Sequence, residues 1–287
     1  MPAGSVAYAA FHAGLVGPDP LLFDVFPPPL FRRAQKRAGN ALHDCAADEV
    51  FRALFRAARG HALYDKRNAP AVTAYALGFV CHFALDATFH PLVRALFSGP
   101  DHTRFETALD SVLLDRLGAP VPLGKETKLL PARPLTRRNG KAAAPLDAIA
   151  EVLRETVRSL FATDIGTAYR RSFFKKRALH AFLYDPSGKR RARLRRAEQL
   201  LRRKEGTASG FFFTPPLSED PDRLFTAALA EADEALQLMQ TALTRAETLL
   251  RLAVPALTAP VGEDASRSLD ALLQALKGAT MSYGYQQ

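Results

Sequence analysis

The chain has 287 residues, 48% of them apolar, with two cysteines, 17 glycines and 20 prolines scattered along it. That supports a sizeable core without cross-links and excludes collagen-like, disordered and disulfide-stapled classes. The formal net charge is +10.

Residues 1–40 are short segments broken by Gly and Pro (LVGPDPLLFDVFPPPLF), read as turns around one helical piece. Apolar spacing in NALHDCAADEVFRALFRAARG predicts a helix over 40–60, and 70–97 forms the most apolar helix. In the turn SGPDH, Asp101 is the expected N-cap of a helix over 102–117. Residues 118–146 read as an irregular connection. Helices are then expected over 147–161 and 163–183, followed by the turn YDPSG and a basic helix over 189–204. A loop at 206–222 contains the run FFF (211–213), and helices over 222–252 and 264–277 close the chain. Alternating β-branched runs are nearly absent and no repeat occurs. The expectation is an all-α protein forming one compact domain overall: a metal-binding helical core over 1–117, the connection 118–146, and C-terminal helices over 147–287 packed on the core. No window approaches 18 uncharged apolar residues and the N-terminus has no basic region, so neither a transmembrane helix nor a signal peptide is expected.

The stretch GFVCHFALDATFHP (78–91) carries His82, Asp86 and His90 at i, i+4 and i+8, a single stripe on an otherwise apolar helix. An unpaired carboxylate buried there would cost several kcal/mol, a penalty that a bound metal ion removes. A hydrogen-bonded His–Asp pair in the core is the simpler alternative. A second His-x-x-x-acid pair, His102 and Glu106 in HTRFE, follows within 25 residues and favours the metal. His43 in NALHD, at an expected helix start, and Asp19 in a Gly-Pro-Asp turn could complete such a site. His61 and His180 are not expected to ligate.

The segments GLVGPD (14–19), LHD (42–44), GFVCHFALDATFHP and HTRFE, in that order, resemble the zinc-dependent phospholipase C family, and more narrowly its intracellular bacterial branch. The resemblance covers residues 1–115 and continues weakly through the YDPSG turn. It implies a multi-helix fold shared with P1-type nucleases and a cluster of up to three zinc ions. It places one ion on Asp19, His43, His82 and Asp86, and a second on His90, His102 and Glu106. By the same resemblance Asp19 orients or deprotonates the attacking water, and Asp86 bridges toward a third ion. Ala7 stands where family members carry an N-terminal histidine, so two ions are expected, with His12 as the nearest substitute ligand for a third.

The implied activity is zinc-assisted hydrolysis of a phosphodiester in a phospholipid or another phosphoester. Two alternatives differ in substrate or class: a single-strand nuclease of the same fold, and a non-catalytic protein that keeps zinc for stability. Residues 170–205 hold 14 Lys or Arg against three acids, leaving the rest of the chain nearly neutral. That segment offers a contact for an anionic membrane surface or nucleic acid, or is simply a solvated helix face. KRRARLRRAEQLLRRKEG lacks interleaved aromatics, which weighs against base stacking. Two cysteines without a CxxC motif fit a reducing compartment, so a cytoplasmic location, peripheral at a membrane, is expected. Oligomeric state is not readable from the sequence.

Overall fold

Alanine, leucine and arginine, which favour helix, dominate the chain, and the computed structural model is helical accordingly. It describes residues 1–23, 32–118, 132–137, 143–185, 187–201, 208–212, 223–260 and 262–285. The helices among them are α1 (Val6–Leu15), α2 (Arg32–Asp44), α3 (Ala47–Tyr64), α4 (Ala69–Leu96), α5 (Pro100–Arg116), α6 (Ala132–Thr136), α7 (Pro145–Phe161), α8 (Ala168–Leu183), α9 (Lys189–Leu200), α10 (Arg223–Ala230), α11 (Ala232–Thr258) and α12 (Glu263–Leu276). Two 3-10 turns, Asp19–Phe23 and Ser209–Phe211, and a short antiparallel ribbon of β1 (Ala279–Thr280) and β2 (Gly284–Tyr285) complete the description. The fold is all-α.

Contacts group the chain into two compact units. The first comprises Met1–Thr88, Leu130–Lys176 and Thr241–Gln287; the second comprises Phe89–Leu129 and Arg177–Gln240.

In the first unit α3 and α4 share an aromatic core. Phe51 meets Phe55, Phe79 and Phe83 edge to face at 5.6–5.9 Å between centroids, and all four rings are fully buried. Each such side chain contributes about 1.5–3 kcal/mol by burial. Helix α1 crosses α4 through glycine. A Cβ on Gly14 would sit 2.2 Å from the Tyr75 carbonyl oxygen, and one on Gly78 would sit 2.1 Å from the Phe11 carbonyl oxygen. Only hydrogen fits at either position.

The second unit packs α10 on α5. Val93, Phe105, Leu109, Leu224, Phe225 and Ala228 form its centre. Phe212 is buried and Phe211 lies under the Arg104 guanidinium at 4.7 Å, so both turn inward rather than forming an exposed wedge; Phe213 lies outside the described residues.

Several boundaries differ from expectation. The helix expected over 40–60 is two helices, α2 and α3, interrupted at Cys45 and Ala46. His43 therefore sits on the last turn of α2, not at a helix start. The cause is tertiary: the Ser282 amide donates to the His43 carbonyl at 3.0 Å, and the Ser282 hydroxyl to Asp44 Oδ1 at 2.5 Å. These bonds satisfy groups that a local cap would otherwise serve. The ribbon bearing Ser282 was not anticipated. Its Tyr285 packs on Phe83 and lies under Arg245, whose guanidinium donates to Thr88 Oγ1.

Asp101 is not an N-cap. Gly99, at φ +59°, takes that position with Pro100 at the first helical residue, and Asp101 instead pairs with Arg104 and Arg223. Within the expected connection 118–146, α6 is helical; residues 119–131 and 138–142 lie outside the description. Helix α8 begins at Ala168 rather than 163. Ala162 ends α7 in a left-handed conformation, and Asp164 accepts from the Gly166 amide and pairs with Arg154. The expected helix over 222–252 is interrupted at Glu231 and extends to Thr258, although hydrogen bonds from Glu231 to Ala227 and from Ala235 to Glu231 run across the junction.

Helix α4 is more apolar than the expectation of no near-18-residue apolar window allowed. By length and a mean hydropathy of 1.4 it could cross a membrane, because two histidines and one aspartate barely lower an 18-residue average. That window is 67% buried inside the protein, as a core helix is.

Candidate metal centre

Helix α1 stops at Leu15. Gly17, at φ +44°, turns the chain, and Pro18 starts the 3-10 turn that carries Asp19. The Tyr75 hydroxyl donates to the Gly17 carbonyl at 3.2 Å and ties this turn to α4. A Cβ at Gly17 would lie 2.3 Å from the His82 ring, so the glycine gives that imidazole its place.

Asp19, His43 from α2, and His82 and Asp86 from α4 converge in the first unit, their potential ligand atoms all within 4.8 Å of one another. His43 Nε2 is 3.2 Å from Asp19 Oδ1 and 3.6 Å from Asp86 Oδ2. His82 Nε2 is 3.8 Å and 3.4 Å from the same two oxygens. Most of these separations exceed a good N–H···O bond. They suit instead the edges of a tetrahedron around an ion with bonds of about 2.0–2.1 Å, which are roughly 3.3 Å long. His43 Nδ1 donates to the Gly39 carbonyl at 2.8 Å, which fixes the tautomer and leaves Nε2 as a lone-pair donor facing the two carboxylates. His82 Nε2 is buried with no hydrogen-bond partner. An imidazole nitrogen so placed is the strongest fit to a cation, since burying it unsatisfied would cost about 1–3 kcal/mol.

The electrostatics agree. Burial opposes the charge of Asp19, but His82, His43 and Lys176 outweigh it and hold the carboxyl far below its usual range. Burial likewise opposes protonation of His43, yet its bond to Asp19 and the charges of Asp19 and Asp86 raise its pKa overall. The two carboxylates thus call for positive charge, from a proton or an ion.

In the second unit His90, at the α4 end, meets His102 and Glu106 from the first turns of α5. Glu106 Oε1 is 3.4 Å from His90 Nε2 and 3.1 Å from His102 Nε2. Burial works against the Glu106 charge, but hydrogen bonds from His102 and His90 bring its pKa down to about 2. Among the described residues this group offers three donor side chains, against four in the first group.

Thus the seven residues expected from spacing and resemblance fall into the two expected groups. His12 joins neither; it stacks on Tyr8 with ring centroids 4.2 Å apart. His180 and His61 also stand outside both groups. Sequence reasoning missed Lys176, a buried cation beside Asp19. Its one signal was a shared face of α8 with Tyr169 and Phe173, hidden in a run of basic residues.

A family model described as zinc dependent phospholipase C matches residues 5–166, more than half of the chain. The protein belongs to the zinc-dependent phospholipase C family. No curated protein and no solved structure matches it.

Proposed function

We propose that the protein hydrolyses phosphodiester bonds, with zinc at both groups of ligand-type residues. The observation that carries this reading is the buried His82 Nε2, which lacks a hydrogen-bond partner and faces Asp19 and Asp86. Zinc, when bound, polarises a phosphoryl oxygen and brings the pKa of a coordinated water toward neutrality. Asp19, His43, His82 and Asp86 hold the first ion, and His90, His102 and Glu106 the second. Held ionised by its neighbours, Asp19 accepts a hydrogen bond from the attacking water and orients it. The three protein donors of the second group among the described residues match the donor number of catalytic zinc sites, which favours an enzyme over a protein that keeps zinc only for stability. Free Cys45 and Cys81 fit a reducing compartment such as the cytoplasm.

Untagged protein purified without chelator should carry about two zinc ions per chain by elemental mass spectrometry. It should cleave phosphatidylcholine, losing that activity to a chelator and regaining it with zinc. Cleavage of single-stranded DNA instead would favour the nuclease reading. Protein that takes up no zinc would sink both.

We also propose a lipid partner. The basic segment is less outward than its composition suggests: Lys176 is buried, Arg190 donates to the Phe182 and Tyr184 carbonyls, and Arg191 is buried against Phe225. Lys189, Arg193 and Arg196 remain exposed on α9, followed by Leu200 and Leu201 at 85% and 69% exposure. Cations beside exposed leucines suit anionic headgroups better than nucleic acid. Sedimentation with phosphatidylglycerol vesicles should fall at least about tenfold when all three cations become glutamate, at about 1 kcal/mol each. Unchanged sedimentation would refute the contact.

A further inference from the structure

The ribbon of β1 and β2 lies outside the segment matched by the family model, yet within the first unit it reaches both helices that carry ligands of the first group. On one side is α2. The His43 carbonyl is among the last four of that helix, which the intrahelical ladder leaves without donors, and the Ser282 amide donates to it at 3.0 Å. The buried Ser282 hydroxyl donates to Asp44 Oδ1 at 2.5 Å. On the other side is α4. Tyr285 meets the Phe83 ring edge to face with centroids 6.2 Å apart, one residue after His82. Arg245 lies over the Tyr285 ring at 4.5 Å and donates to Thr88 Oγ1 at 2.6 Å, two residues after Asp86. Ala279, Met281 and Ser282 are all buried, so the ribbon is anchored rather than trailing.

His43 needs such support. It stands on the last turn of α2, before the break at Cys45 and Ala46, where a helix end frays unless its carbonyls are satisfied. Its ring is fixed by the bond from Nδ1 to the Gly39 carbonyl four residues back, which holds only while that turn stays helical. Its Nε2 must meet atoms of two other elements, 3.2 Å from Asp19 and 3.6 Å from Asp86. Metal–ligand bonds tolerate displacements of only about 0.2 Å. A segment that grips α2 beside His43, and α4 beside His82 and Asp86, sets the separation of those ligands. We propose that the C-terminal ribbon is a positioning element of the first group, with Ser282 as the positioning residue that holds the α2 end and brings His43 to ligating distance. This rests on the reading of that group as a zinc centre.

The test measures zinc affinity by competition with a chromophoric chelator, on full-length chains in which one group is disabled. His102→Ala leaves the first group intact, and His82→Ala the second. Ser282→Ala is expected to raise the zinc Kd of the first group about tenfold, the scale for losing a bond behind a ligand, and to leave that of the second within about twofold. Asp44→Ala should do the same from the other side of the bond, and the double variant should be no weaker than either single one. A ribbon that only packs would lower the melting temperature without moving the Kd of folded protein. An unchanged Kd at the first group therefore overturns the proposal. So does equal weakening of both groups, which is general loosening, and so do additive losses in the double variant. If circular dichroism shows that Ser282→Ala does not fold, Asp44→Ala is read by the same outcomes at the two groups. A His102→Ala chain that takes up no zinc with Ser282 intact overturns the zinc centre itself, a result distinct from the two chains binding it alike.

Discussion

Gly78→Ala is expected to destabilise the protein by about 3 kcal/mol or more, beyond the usual range for an added methyl group. The new Cβ would fall 2.1 Å from the Phe11 carbonyl oxygen and 2.9 Å from Gly14 Cα. Both are main-chain atoms of α1, so no side chain can swing aside. Relief requires α1 to move away from α4 by roughly 1 Å, opening voids along a close-packed crossing. Against a total stability of about 5–15 kcal/mol this is a large fraction. A thermal melt should show a drop of roughly 6–12 °C. Gly60→Ala is the control. Gly60 lies inside α3 with nothing within 4 Å of an added Cβ, so alanine there should be neutral or stabilising by about 0.5–1 kcal/mol. Equal effects at the two positions would show that the α1–α4 crossing is not glycine-dependent.

His82→Ala carries the second large effect. It removes an imidazole whose buried Nε2 has no hydrogen-bond partner. Zinc content should fall by about one ion per chain, and phosphodiester hydrolysis by about a thousandfold. The thermal signature separates a ligand from a packing residue. Without metal, the substitution deletes an unsatisfied buried nitrogen while leaving a small void, and these oppose each other to within about 1 kcal/mol. With zinc, wild type should gain about 2.7 kcal/mol at a hundredfold excess over Kd, and the variant should gain less. A variant that melts early with and without zinc, at unchanged zinc content, would make His82 a core residue.

What the sequence made legible was what local spacing encodes. The stripe His82–Asp86–His90 follows from helical periodicity alone, and His102–Glu106 repeats its spacing, so the candidate ligand residues were readable; their division into two groups, with His90 set apart from His82 and Asp86, came only from the family resemblance. Features that depend on distant chain were not. His43 was placed on the wrong end of a helix because the break at Cys45 is enforced by Ser282, 238 residues beyond Asp44. Lys176 was lost among basic neighbours, since burial of one cation in such a run is decided by what α8 packs against. The glycines of GLVGPD and GFVCHF belonged to recognisable segments, yet their reason, contact between the backbones of α1 and α4, appears only once the two helices are brought together. The two-residue strands of the ribbon are too short for any alternating pattern to register.

The Ser282 contact also has a consequence in time. A chain made at about 5–20 residues per second exposes Asp44 roughly 10–50 s before it exposes Ser282. Throughout that interval the helix end bearing His43 lacks the partner that finishes it, while Asp19, His82 and Asp86 are already synthesised. Ribosome-bound chains stalled before Ser282 should therefore capture zinc more weakly than released ones. Maturation of this centre is then a late event in biosynthesis, set by the arrival of a serine that never touches the ion.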